Sequence, residues 1–287
     1  MYLVYTFEKN EDPSTLTKAL WNIKVGHQIV SSSNGDQLWV TDPKYVQAAL
    51  EVVNIWKYDP EKLPLVQLDR SKQDKQTLQG ALKETPISYL FLFSTFVVCF
   101  LTQLGENLEV VRYFLISPIY VQAGQLVSFP LTQVLQSGEW WRLVTPTFLH
   151  FSALHVIFNA LWVWDLGRKI ERYVGSIKWL LGALFVSIGA NVAQYLISDT
   201  VFFGGLSGLV YGLVGFGWIA PYLSGGIPIL ISKPLFVFFV VWLAIGFTSL
   251  TESIGLGAIA NTAHVTGLVF GLGFGALYGL AARNRKV

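Results

Sequence analysis

Three short stretches of the chain hold residue types that can do chemistry together. His155 and Asn159 stand four residues apart, which on a helix sets them on one face about 5.4 Å apart along the axis. Ser207 sits in the run Gly204-Gly205-Leu206-Ser207-Gly208, framed by glycines that let other backbone come close. His264 follows Ala263 and precedes Gly267, Gly271, Gly275 and Gly279, a ridge of small residues that repeats every fourth position. A serine hydroxyl is a weak nucleophile until a base takes its proton, and an attacked amide needs donors for its developing negative oxygen. Ser207, His264 and the pair His155 and Asn159 can fill these roles in that order. At the start of a helix Ser207 would also lie beside free N–H groups and the positive end of the helix dipole.

No acidic third member offers itself. Asp165 falls at the cytoplasmic end of its span, and Asp199 and Glu252 fall in outer loops, so the expectation is a Ser-His dyad. Tyr211, one turn beyond Ser207, is expected to pack on the imidazole and orient it where a triad would use a carboxylate. Each residue alone has a plainer reading: Ser207 as a helix N-cap, His264 as an interhelical hydrogen-bond donor, His155 with Asn159 as glue between helices, and His150 as a brace for the outer loop. Their combination is what favours chemistry.

The elements that must position these residues are membrane spans. With 53% hydrophobic and only 13% charged residues, the chain is too apolar for an ordinary soluble domain. A formal charge of +2 argues for no nucleic-acid partner. Ten of the 20 Lys and Arg residues precede residue 84, and the next is Arg112. Cys99, the single cysteine, lies in that apolar gap and is expected to pack there. From Pro86 onward six segments approach the roughly 20 apolar residues that cross a bilayer as a helix: 87–105, 147–167, 177–197, 206–223, 229–248 and 262–281. Arg168, Lys169, Arg172, Lys178, Lys233, Arg283, Arg285 and Lys286 cluster after alternate spans. The positive-inside rule then puts both termini in the cytoplasm and the Ser207 end outside. Trp140-Trp141-Arg142, in the long outer connection, has the chemistry of an interfacial anchor. The start of the chain lacks the basic and then apolar pattern of a cleavable signal peptide.

Residues 1–60 are expected to form a small α+β cytoplasmic domain, and 61–85 a polar linker that is flexible or loosely helical. Tyr2 to Phe7 reads as a strand, and Asp12-Pro13 as the start of a helix reaching about Lys24. His27 to Ser32 and Gln37 to Thr41 are strand-like around Asn34-Gly35. Asp42-Pro43 caps a second helix that ends near Trp56.

These pieces resemble the rhomboid family of intramembrane serine proteases, specifically its bacterial type with an N-terminal cytoplasmic domain. The motifs are Trp141-Arg142, the run from His150 to His155 and Asn159, Gly205-Leu206-Ser207-Gly208, and Ala263-His264 with Gly267, in that order along the chain. The resemblance implies an all-α polytopic bundle of six transmembrane helices over residues 86–287, with a water-filled cavity open to the outside. It implies Ser207 as nucleophile and His264 as general base, and an oxyanion hole of His155, Asn159 and the Ser207 amide. Tyr211, His150 and Gly205 would support the site. It implies transmembrane protein substrates, a bacterial inner-membrane location and no cofactor or metal. The stretch from Ile254 to Asn261 would then be a mobile cap. Pro146 stands where some relatives have another histidine, a departure outside the dyad. A metalloenzyme reading fails because His150 and His155 are five apart with no Glu between them as in HExxH. The remaining alternatives are a transporter and a catalytically silent scaffold that binds membrane helices.

Overall fold

The computed structural model describes residues 2–8, 10–32, 35–42, 45–66, 78–198, 200–224, 227–248 and 259–283. Asn34, Pro43, Asp199, Glu252, Arg285, Lys286, residues 67–77 of the linker and most of the stretch 254–261 lie outside them. Contacts divide the chain into two units, Met1–Gln79 and Gly80–Val287.

In the first unit the order is β1 (Tyr2–Thr6), α1 (Ser14–Asn22), β2 (His27–Ser32), β3 (Gly35–Val40) and α2 (Val46–Tyr58), followed by a 3-10 turn at Pro60–Leu65. The strands form an antiparallel sheet in the order β1-β3-β2. Leu16, Ala19 and Leu20 share one face of α1, and Ala49, Val52 and Val53 one face of α2; with Leu38 and Val40 they make the core. Asp12 holds the start of α1 by accepting from the Ser14 amide at 2.9 Å and hydroxyl at 2.7 Å. The Glu8 amide, with the Tyr5 hydroxyl and Lys57 beside it, keeps the Glu11 carboxyl below its ordinary range.

The second unit is mostly helical. After α3 (Leu78–Glu84), helix α4 (Pro86–Thr102) begins with proline in its first turn and ends where Gln103 and Leu104 turn to positive φ. Its starting amides need acceptors, and the buried carboxylate of Glu171 supplies them: Ile87 N at 2.9 Å, Ser88 N at 2.8 Å and Ser88 Oγ at 2.7 Å. A long connection follows, with a one-turn helix α5 (Leu108–Val111), a hairpin of β4 (Ile119–Gln122) and β5 (Gln125–Ser128), and α6 (Leu131–Gln136). Helix α7 (Ala153–Trp162) runs through a π-helical turn, Val163–Gly167, into α8 (Arg168–Val174). Then come α9 (Ser176–Ile197), α10 (Ser207–Ser224), α11 (Lys233–Gly246) and α12 (Asn261–Arg283). Among the described residues, Pro86–Gly105, Ser176–Ile197 and Asn261–Arg283 are long and apolar enough to cross a bilayer, and Lys233–Gly246 is a shorter apolar helix.

The expected span at 147–167 begins later, at Ala153. Residues 145–148 take a 3-10 turn around Pro146, and the Ser152 hydroxyl caps the helix by accepting from the His155 amide at 3.3 Å. Arg142 also differs from an interfacial anchor. It is 3% exposed, paired with Glu139, and its Nη1 donates to the carbonyls of Arg112 at 2.7 Å and Leu115 at 3.0 Å. Trp140 and Trp141 beside it are exposed. Arg142 therefore pins the long connection from within. Arg142→Ala is expected to destabilise the protein by about 3–5 kcal/mol, because it strands a part-buried carboxylate and two carbonyls. Arg142→Lys, a point charge without the planar fork, should recover only part of that. Denaturant titration in detergent measures both.

Helices α10 and α12 pack at backbone distance. A Cβ on Gly267 would strike the Gly208 carbonyl, and one on Gly271 the Gly212 carbonyl. One on Gly275 would lie 2.9 Å from Phe216 Cα, and one on Gly279 3.0 Å from the Ala220 carbonyl. The fourfold spacing thus lines up one smooth face, which is what close helix crossing requires.

Candidate active site

Ser207 opens α10. The Val210 amide bonds to the Leu206 carbonyl at 2.8 Å, so Leu206 is the N-cap. The amides of Ser207, Gly208 and Leu209 are then first-turn donors without an intrahelical partner. The approach to this turn is held by the segment before α7. Gly205 N donates to the Pro146 carbonyl at 2.9 Å, and Leu206 N to His150 Nε2 at 3.3 Å. Pro146 contributes through its main chain, a role that does not depend on its side chain.

His150 is fully buried and acts as a hub. Its Nδ1 is 3.2 Å from the Phe148 carbonyl, and its Nε2 faces both Leu206 N and Asn159 Nδ2, the latter at 3.2 Å. This pattern corresponds to the Nδ1–H tautomer, with Nε2 accepting. Asn159 spends one of its two amide hydrogens on His150, and the other has no partner among the described residues. His155, half-buried, sets its ring edge-on to that of His150, with centroids 4.9 Å apart.

Gly205 joins these parts. At φ +128° it occupies a region that favours glycine. A Cβ there would stand 2.8 Å from His155 Cε1 and 3.6 Å from Ser207 Oγ. The absence of a side chain is thus what lets His155 and Ser207 border one space.

His264, 6% exposed, lies in the first turn of α12, and its ring stacks on that of Tyr211 with centroids 4.7 Å apart at 29°. A Cβ on Gly208 would lie 3.4 Å from the Ala263 carbonyl, so the residues next to Ser207 and His264 are close neighbours. Among the described residues no hydrogen bond joins Ser207 to His264. Such bonds often tighten only when substrate is bound.

Three polar residues on α9 belong here and were passed over in the sequence. Gln194 Oε1 accepts from the Ala263 amide at 3.0 Å and so caps the helix that carries His264. Asn191 Nδ2 donates to the Leu143 carbonyl at 2.9 Å and to Thr147 Oγ1 at 3.0 Å. Ser187, one turn earlier, is buried, its hydroxyl has no hydrogen-bond partner among the described residues, and it lines a narrow cavity with Thr147, Asn191, Gly204, Ser207 and Ala263. The signal was available: positions 187, 191 and 194 share one face of a membrane-length helix, where polar groups are costly. Among the described residues no three His, Cys, Asp or Glu side chains gather as a metal would need.

The model of the family described as the Rhomboid domain matches residues 137–281, half of the chain, and takes in every residue just described. The chain belongs to the rhomboid family. It is also similar to the rhomboid protease GlpG of Serratia proteamaculans strain 568, at 42% identity over 134 residues. That match covers 47% of this chain and 46% of the relative, so it spans about half the length of the curated relative. Family membership and the apolar helices together make this rhomboid a membrane protein.

Proposed function

We propose that this chain is an intramembrane serine protease that hydrolyses a peptide bond near the outer end of substrate transmembrane helices, using Ser207 and His264. The observation that carries the reading is how three elements meet around the first turn of α10: His155 from α7 and Ser207 border one space at Gly205, and the start of α12 reaches the turn at Gly208 through Ala263, with His264 stacked on Tyr211. His264 takes the proton as Ser207 Oγ adds to the scissile carbonyl. The negative oxygen is met by the Ser207 amide, His155 and the free hydrogen of Asn159. The intermediate collapses, the C–N bond breaks, and His264 hands its proton to the departing amine. Water, with His264 again as base, then hydrolyses the acyl-serine and restores the hydroxyl. Tyr211 steadies the imidazole through its ring, and His150 holds Asn159 and the turn before Ser207.

Six membrane-crossing helices over residues 86–287 are the architecture that suits this chemistry, with residues 1–60 a cytoplasmic domain joined through 61–85. The basic residues on alternate connections support cytoplasmic termini and a site facing the periplasm across a bacterial inner membrane. The substrates are other membrane-spanning proteins. Their cut segment must be locally unwound, since an intact helix keeps its carbonyls occupied.

A fluorophosphonate probe tests the reading. Purified protein in detergent is expected to be labelled at Ser207 alone, to cleave a single-span substrate, and to do both in excess chelator. Absence of labelling with cleavage intact would overturn the serine mechanism. Absence of both would favour a helix-binding scaffold.

A further inference from the structure

Helix α11 is held to the site in an unusual way. Of its 14 residues only Phe239 and Gly246 are buried. These same two residues offer their main-chain carbonyls to side chains from the helices that carry the site. Tyr211 Oη donates to the Phe239 carbonyl at 3.2 Å, and Asn261 Nδ2 donates to the Gly246 carbonyl at 2.5 Å.

Both donors are immediate supports of His264. Tyr211 is stacked on the imidazole, and Asn261 begins α12 three residues before it. Gly246 is the last residue of α11, so its carbonyl has no partner within its own helix, and Asn261 serves as a C-cap supplied from elsewhere. The fit is close, since a Cβ on Gly246 would collide with Asn261 Oδ1. Oδ1 itself is buried and has no hydrogen-bond partner among the described residues. The one bond from Nδ2 is therefore what orients the amide. One face of α11 turns outward: Val237, Phe238, Val240 and Val241 are all exposed.

We propose that Asn261 is a positioning residue that, together with Tyr211, couples the placement of α11 to the orientation of His264. This rests on the protease reading given above. The coupling follows from geometry. A shift of α11 pulls on two carbonyls, each tied to a group that either stacks on the imidazole or begins its helix. Leu235, Phe236 and Leu243 also pack partly buried against the core, but the two hydrogen bonds are directional ties from α11 to the immediate supports of the imidazole. A segment that displaces α11 would thereby change how well His264 faces Ser207, and a correctly seated α11 would align the base. The reverse also holds, because coupling between two sites is reciprocal.

The test separates alignment of the base from simple loss of fold. Full-length protein in detergent is titrated with the fluorophosphonate, and kcat and KM are measured on a short soluble peptide and referred to each labelled serine. Asn261→Ala is expected to lower kcat per labelled serine on the order of ten-fold, the worth of one hydrogen bond, with KM unchanged. Tyr211→Phe, which deletes only the hydroxyl and keeps the stacked ring, should do the same. The double variant should fall no further than the worse single one, because both act through one histidine. A merely structural cap predicts otherwise: the labelled fraction drops while kcat per labelled serine stays within two-fold of the parent. That result overturns the coupling, as does additivity in the double variant. If Asn261→Ala yields no labelled protein, Tyr211→Phe alone decides, by the same two-fold criterion. A parent protein that is neither labelled nor active overturns the protease reading instead, and the coupling with it.

Discussion

Ser207→Ala and His264→Ala are each expected to abolish cleavage of a single-span substrate, a fall of at least about 1,000-fold in kcat/KM. The two changes remove different parts of one event. Without Ser207 Oγ no acyl-enzyme forms, and without His264 the hydroxyl loses the base assigned to take its proton. Among the described residues Ser207 and His264 make no hydrogen bond to each other, so neither change breaks a native contact of that kind. Ser207 stands half-exposed at a helix start, and its truncation should leave unfolding unchanged. His264 is buried against Tyr211, so its removal opens a small hole and should cost some stability without loss of fold. The double variant should be no worse than either single one, because residues that act as a unit do not add. Cleavage assays beside thermal unfolding measure all three. More than a few per cent of activity left in either single variant refutes the dyad.

Why these two residues could be read from the sequence, and others could not, follows from the range of the interactions. The glycine frame of Ser207 and the glycine ridge after His264 are local patterns, and their spacing alone announces a close helix crossing. Gln194 reaches its partner Ala263 across 69 residues, and Asn261 reaches Gly246 across 15. Nothing in the local sequence ties such pairs together. Arg142 was misjudged for a related reason. A Trp-Trp-Arg run looks interfacial, and only the carbonyls of Arg112 and Leu115, brought up by a distant turn, turn the guanidinium inward.

The same division holds for the fold. The order β-α-β-β-α was legible because caps, prolines and short alternating runs punctuate residues 1–60, and the long apolar helices because hydropathy is a local sum. The hairpin at 119–128 was missed because its turn is Ala123-Gly124. Both residues take positive φ, 52° and 81°, as a two-residue hairpin turn asks. Alanine there is uncommon and carries no turn signal. The true start of α7 hinged on Ser152, a cap hidden inside an apolar stretch that hydropathy alone extends back to 147.

The glycine ridge supports the second large effect. Gly271→Val should destabilise the protein by about 3 kcal/mol or more, at the upper end for overpacking, because the added Cβ meets main chain. The atom in its way is the Gly212 carbonyl oxygen, which cannot rotate aside as a flexible side chain can. Relief requires α10 and α12 to part, and parting them separates Ser207 from His264, so activity should fall further than stability alone explains. Gly273→Val on the same helix is the control. Among the described residues a Cβ at Gly273 meets nothing within 4 Å, and the change should stay within about 0.5 kcal/mol with activity retained. Both variants make the same change of residue type two positions apart, so intrinsic helix preference cancels between them. What remains is the distance between two backbones. Equal damage from both would assign the loss to the residue type, and a tolerated Gly271→Val would mean that α10 and α12 do not approach closely enough to bring the serine and the histidine together.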